Sequence, residues 1–244
     1  MSQKPSDARL QIRVVPVTPL QQNCSLIWET VSKHAALVDP GGDIDRLFGA
    51  LDHFGLRLKR IWLTHGHLDH AGAAADLRDR TGVAIEGPHR EDQFWLDQIE
   101  ESSRRYGIGG ARNVTPDRYL EDGDELELEG IAFGGVHTPG HTPGHVVIHN
   151  QAAKVAFVGD VLFAGSIGRT DFPRGNHEQL IHSITTKLWP LGDDTAFIPG
   201  HGPLSTFGRE RQTNPFVADR LTGYGGCVVE APDTGEQRGS KRYT

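Results

Sequence analysis

At 244 residues, with 36% hydrophobic and 23% charged residues, the chain is long enough to bury a sizeable core and reads as one soluble α/β domain rather than two small ones. A formal net charge of −7 leaves no broad basic stripe to track phosphates, which excludes a general nucleic-acid binder. Two cysteines, Cys24 and Cys227, exclude a disulfide framework and point to a reduced, cytoplasmic setting; the polar stretch 1–9 has no secretory h-region, and no run of about 18 apolar residues is present to span a membrane.

Residues 10–18, 24–29 and 35–39 are rich in β-branched residues between turn residues and are expected to be strands. Pro40-Gly41-Gly42 makes a turn, and Asp43 is placed to cap a helix running to about Phe54. A strand over 59–63 leads into the densest histidine cluster. A helix comes next over 71–80, ended by Gly82. Then come a short strand over 83–86 and a helix over 91–105, in which Trp95 and Ile99 stand one turn apart, as core packing or as a cleft wall. Further strands are expected at 125–129, 131–136, 146–149 and 154–158, a helix over 177–188 and a last strand over 195–198. Strands, then mixed elements, then strands again suit two sheets packed face to face with helices outside, a four-layer sandwich. The domain is expected to span 10–216, before a polar, glycine-rich tail over 217–244 whose lack of period fits disorder.

The chemistry lies where apolar runs end. Thr64-His65-Gly66-His67-Leu68-Asp69-His70 comes after one strand, and His65 and His67, two apart in extended backbone, can point the same way and meet one ion. Asp69 and His70 come as a helix begins and can turn toward a second. In Thr138-Pro139-Gly140-His141-Thr142 the flanking His137 and His145 are equally spaced alternatives. The Gly-His-Thr turn favours His141, while His145 reads as a core or supporting histidine and His137 as a residue bordering the cleft. Asp160 ends the apolar run 155–158, where a carboxylate is costly unless paired or metal-bound. Its two oxygens could bridge two ions. His201 sits in a Pro-Gly-His-Gly turn after the last strand. Asp39 is either a turn cap or an acceptor that orients a ligand histidine. Imidazole and carboxylate suit zinc, and also iron and manganese. The pattern points to attack by a metal-bound hydroxide on an electrophilic carbon.

The His-x-His-x-Asp-His run with the later His, Asp and His resembles the metallo-β-lactamase superfamily, over roughly residues 10–216. The resemblance implies its α/β, four-layer αββα fold. Thr138 to His145, Gly159-Asp160, Gly168-Arg169-Thr170-Asp171-Phe172 and Pro199 to Pro203 are similar to the glyoxalase-II-like (hydroxyacylglutathione) hydrolases, most closely the short single-domain bacterial type. The resemblance implies two divalent metal ions, zinc first. His65, His67 and His141 would hold one ion, Asp69, His70 and His201 the other, with Asp160 between them and Asp69 also catalytic. It implies Arg169 as the basic residue near the substrate's glycine carboxylate. The chain departs from the long enzymes in two respects. Its stretch after residue 216 is too short and polar to form their glutathione-holding helical domain, and Asp171 stands where they carry an aromatic residue.

Two ions about 3.5–4 Å apart supply a nucleophile without a catalytic serine or cysteine. A thiolate leaving group, of ordinary pKa near 8.5, needs little help from an acid. A thioester of small-molecule size, of the S-lactoylglutathione type, is therefore the expected substrate. The alternative is a mononuclear iron persulfide dioxygenase, which shares the first motif and Gly168–Phe172 but fits His145 and the Pro199–Gly202 turn less well. A nuclease of the same superfamily would need a basic arm, and a pure binding module would hold metal without turnover.

Overall fold

The inner strands over 22–29, 34–38, 146–150, 155–159 and 196–199 bury both faces, and that is what stacks the layers. The computed structural model describes residues 9–223. Its first half is a five-stranded sheet. Strands β1 (Leu10–Val17), β2 (Gln22–Glu29) and β3 (His34–Val38) are antiparallel, and β4 (Arg57–Trp62) and β5 (Ile85–Glu86) continue it in parallel. The connections carry helices α1 (Ile44–Phe54), α2 (Leu68–Ala71) and α3 (Ala74–Thr81). After β5 a 3₁₀ turn (Arg90–Asp92) runs into α4 (Gln93–Leu96) and α5 (Ile99–Tyr106). The second sheet starts as an antiparallel meander of β6 (Glu125–Leu128), β7 (Ile131–His137), β8 (Val146–Asn150) and β9 (Val155–Gly159). A small hairpin of β10 (Leu162–Phe163) and β11 (Ser166–Ile167) and helix α6 (His177–Ser183) lead to β12 (Ala196–Pro199), which returns parallel to β9. Strand β13 (Ser205–Thr206) forms the edge, followed by α7 (Phe207–Thr213) and α8 (Asp219–Thr222).

Alternation sorts the apolar side chains into three cores. In β3, Ala35 and Leu37 face α1, α3 and α5, while Ala36 and Val38 face the other sheet. In β9, Val155 and Phe157 point between the sheets, and Ala156 and Val158 point to α6 and α7. Strand β4 breaks strict alternation: its pairing with β3 skips Lys59, a bulge that lets Leu58 and Ile61 share the helix-facing side. Three cores between four layers make the four-layer αββα sandwich that the element order predicts.

Several local expectations are corrected. Asp43 is no side-chain cap: its backbone is left-handed, φ 51°, and its carboxylate instead accepts the Thr18 N–H at 2.8 Å. The helix expected over 71–80 begins at Ala74, behind the short separate α2. The helix expected over 91–105 is interrupted at Asp97-Gln98 and opens with the 3₁₀ turn. The helix expected over 177–188 passes at Ile184 into a π-type turn. Packing also runs past residue 216, because Val217 and Ala218 are fully buried ahead of α8. The rest of the expected tail, with Cys227, lies outside the described residues. No described helix is long and apolar enough to cross a membrane.

Candidate metal centre

The site lies where β4, β9 and β12 end and where β7 turns into β8. Parallel pairing of β12 with β9 brings Asp160 and His201 to the same end of the second sheet. The loop after β4 delivers His65 and His67 from the first sheet, and α2 delivers Asp69 and His70. Glycines permit the approach. A Cβ on Gly200 would lie 2.1 Å from Asp160 Oδ1, and one on Gly159, at φ +47°, 2.5 Å from Thr64 Oγ1.

All seven sequence-predicted ligand residues meet here, in two adjoining groups. His65, His67 and His141 form the first. His67 Nδ1 is 3.1 Å from His65 Nε2 and 3.0 Å from His141 Nε2. Three nitrogens around one zinc ion at about 2.0–2.1 Å would stand about 3.3 Å apart, close to this spacing. Asp69, His70 and His201 form the second. His201 Nε2 is 3.0 Å from Asp69 Oδ2, and His70 Nε2 is 3.8 Å from the same oxygen. Asp160 faces both groups, with Oδ1 3.3 Å from His70 Nε2 and Oδ2 3.7 Å from His141 Nε2.

Four of the five rings are oriented by what their other nitrogen touches. His70 Nδ1 donates to Asp39 Oδ2 at 2.9 Å, His141 Nδ1 to the Arg169 carbonyl at 2.8 Å and His201 Nδ1 to the Leu20 carbonyl at 3.2 Å. Thr64 Oγ1 donates to Asp39 at 2.6 Å and so accepts from His65 Nδ1 at 3.1 Å. These bonds leave Nε2 lone pairs facing inward. His67 is the exception and turns Nδ1 inward. Asp39 thus acts as the orienting acceptor, one of its two expected roles.

Burial, then the neighbouring imidazoles, push His65 and His67 well below the ordinary histidine pKa, so both are neutral donors. His70 goes the other way. Burial lowers it, but the charges of Asp160 and Asp69 outweigh burial and hold it well above. His201 is raised too: burial lowers it, and its bond to Asp69 and the charge of Asp160 prevail. His67 Nε2, His70 Nε2 and Asp160 Oδ1 are buried without hydrogen-bond partners. Neutral imidazoles in one group and carboxylates seeking positive charge in the other are the donor set two divalent cations fit.

His145 is fully buried and outside both groups. Its ring stacks on His65 at 4.7 Å, and its Nε2 accepts the Asp160 N–H at 3.1 Å, a supporting role as expected. His137 does not border the cleft: its Nε2 bonds the Pro143 carbonyl and its ring stacks on His89. The cleft above the two groups has a volume of about 580 Å³ and apolar walls from Leu20, Leu68, Trp95, Tyr106, Phe172 and Pro173. Trp95 packs its ring 4.6 Å from His67, whereas Ile99 is core. Arg169 lines the cleft, but its guanidinium is held by both Asp171 oxygens at 2.7 Å and lies 4.0 Å over the Phe172 ring. Sequence reasoning missed Asp92. This fully buried carboxylate accepts Gly66 N–H, Gly144 N–H and Thr142 Oγ1–H at 2.6–2.8 Å. Burial pushes it up to about 6 against those three donors.

A family model for the metallo-beta-lactamase superfamily matches residues 17–201. The hydroxyacylglutathione hydrolase GloC of Haemophilus influenzae is 49% identical over 209 residues, 85% of this chain and 98% of that protein. The crystal structure of the BLEG-1 B3 metallo-beta-lactamase is 38% identical with a TM-score of 0.78, covering 85% of this chain and 99% of that one. A di-iron-bound form of TTHA1623 is 35% identical with a TM-score of 0.75, covering 84% and 99%.

Proposed function

The chain belongs to the metallo-beta-lactamase superfamily and is a metal-dependent hydrolase, and we propose that its reaction is hydrolysis of glutathione thioesters of the S-lactoylglutathione type. The observation that carries this reading is the convergence of His65, His67, Asp69, His70, His141, Asp160 and His201 into two adjoining groups, in a chain matching a named hydroxyacylglutathione hydrolase over nearly its whole length. His65, His67 and His141 would hold one ion, Asp69, His70 and His201 the other, with Asp160 shared. Zinc is the first choice for both ions. Iron is the second, since a similar chain has been solved with two irons.

When bound, the ions would supply an acidified water and an electrophile for the carbonyl oxygen. The chain's own residues do the rest. Asp69, which lines the cleft, would accept and hold a proton from that water. Trp95, Phe172 and Leu68 exclude bulk water from the carbonyl. Arg169, at the rim, offers a guanidinium to a carboxylate of the carrier thiol. The leaving thiolate needs no dedicated acid. The test pairs metal content of protein purified without added metal with turnover of S-lactoylglutathione. Two ions and saturable turnover are expected. Two ions without turnover would refute the substrate. One iron with oxygen uptake on glutathione persulfide would establish the dioxygenase instead.

A further inference from the structure

We infer that Asp92 is the positioning residue of the three-histidine group, locking the His65–His67 loop to the His141 turn. The inference rests on the ligand assignment above and adds a residue outside it. Asp92 Oδ2 accepts the N–H of Gly66, the residue between His65 and His67, at 2.8 Å. The same oxygen accepts Thr142 Oγ1–H at 2.7 Å, and Oδ1 accepts Gly144 N–H at 2.6 Å. Thr142 and Gly144 belong to the turn that presents His141. One carboxylate therefore ties together the two loops, one from each half of the sandwich, that supply the first group.

The backbone around Asp92 makes the same connection independently of its side chain. A Cβ on Gly66 would lie 2.9 Å from the Asp92 carbonyl and 2.8 Å from Trp95 Cβ. A Cβ on Gly144 would lie 2.4 Å from Asp92 N and 2.7 Å from the His89 carbonyl. The His89 N–H also donates to the Gly144 carbonyl at 3.0 Å. Segment 89–95 is thus wedged between the two ligand loops, and both loops carry glycine where it touches them. Burying a carboxyl group with no salt-bridge partner among the described residues is a poor way to add stability, since an apolar filler avoids the desolvation cost. Three convergent donors make it a good way to hold two loops at one distance. Two loops held at one distance keep the three imidazoles in the arrangement an ion needs.

The test measures zinc affinity by chelator competition in two one-ion backgrounds. His201→Ala leaves the three-histidine group, and His141→Ala leaves the other. Adding Asp92→Asn should weaken zinc binding about 10–100-fold in the first background, the usual cost of losing an orienting partner, and leave the second nearly unchanged. Equal weakening in both backgrounds would show a merely structural acid, and no weakening in either would show no role; both overturn the inference. Circular dichroism of the metal-free variants checks folding. If Asp92→Asn does not fold, Thr142→Val removes one of the three bonds and should weaken only the three-histidine group, by a smaller factor; an equal or absent effect overturns the inference. Wild-type protein that binds no zinc would sink the ligand assignment as well. Two ions in wild type with Asp92 variants unchanged would sink this inference alone.

Discussion

Arg169 reaches the cleft with its charge already engaged by Asp171 and the Phe172 ring. An exposed ion pair contributes little in water, so a substrate carboxylate can displace Asp171. Arg169→Ala should raise KM for S-lactoylglutathione about three- to tenfold with kcat little changed, the signature of lost uniform binding in steady-state kinetics. An unchanged KM in a folded variant removes Arg169 from the substrate site. Asp160→Asn should weaken the binding of both ions, because its carboxylate faces both groups; full retention of one ion through purification would confine Asp160 to one group. The candidate ligand residues were legible because histidine and aspartate at the ends of apolar runs have few other uses. Asp92 was not. It is one acid in a stretch, Glu91 to Arg105, whose spacing reads as an ordinary amphipathic helix, and its partners are a backbone 26 residues upstream and another 52 downstream.

At the level of elements, strands and turns were legible and the interruptions of helices were not. Strands emerge from alternation within a few residues. The break after α4 is set by distant partners, such as Asn113 Oδ1 accepting the Glu100 N–H at 2.9 Å, which no local period encodes. The glycines at strand ends separate two kinds of turn. A methyl on Gly200 would collide with Asp160 Oδ1 and lie 2.5 Å from His70 Cε1, whereas around Gly202, at φ +77°, there is open space. Gly200→Ala should keep its far-UV spectrum and lose metal from the second group. Gly202→Ala should cost about 1–2 kcal/mol of stability, from left-handed backbone strain alone, and keep both ions. Metal analysis beside thermal melts distinguishes them, and a Gly200→Ala protein with full metal content would refute the crowding argument.

For the whole molecule, the four-layer order was legible because the sequence of strand and helix periods leaves few other arrangements, and the meeting of distant loops was legible because ligand-type residues recur where several apolar runs end. Four of the seven candidate ligands come from the first sheet's connections and three from the second's. Ions held at 100 times their dissociation constant add about 2.7 kcal/mol each. For a domain of this size that is about 5–10 °C per ion. Chelation should therefore lower the melting temperature by at least that amount and zinc should restore it; a melting curve indifferent to chelator would mean that the two halves are not joined through metal. The Asn23 side chain, which reaches from β2 to the Pro199 and Gly202 carbonyls at 3.1 and 2.9 Å, is the protein's own latch across the same boundary. The buried amide protons of the loops on either side of that boundary, such as that of Gly66, which is bonded to Asp92, should trade with solvent faster once a cation departs. Their hydrogen-exchange rates then become a clock for metal loss, and a protease acting on a metal-starved pool of this protein would keep time by it.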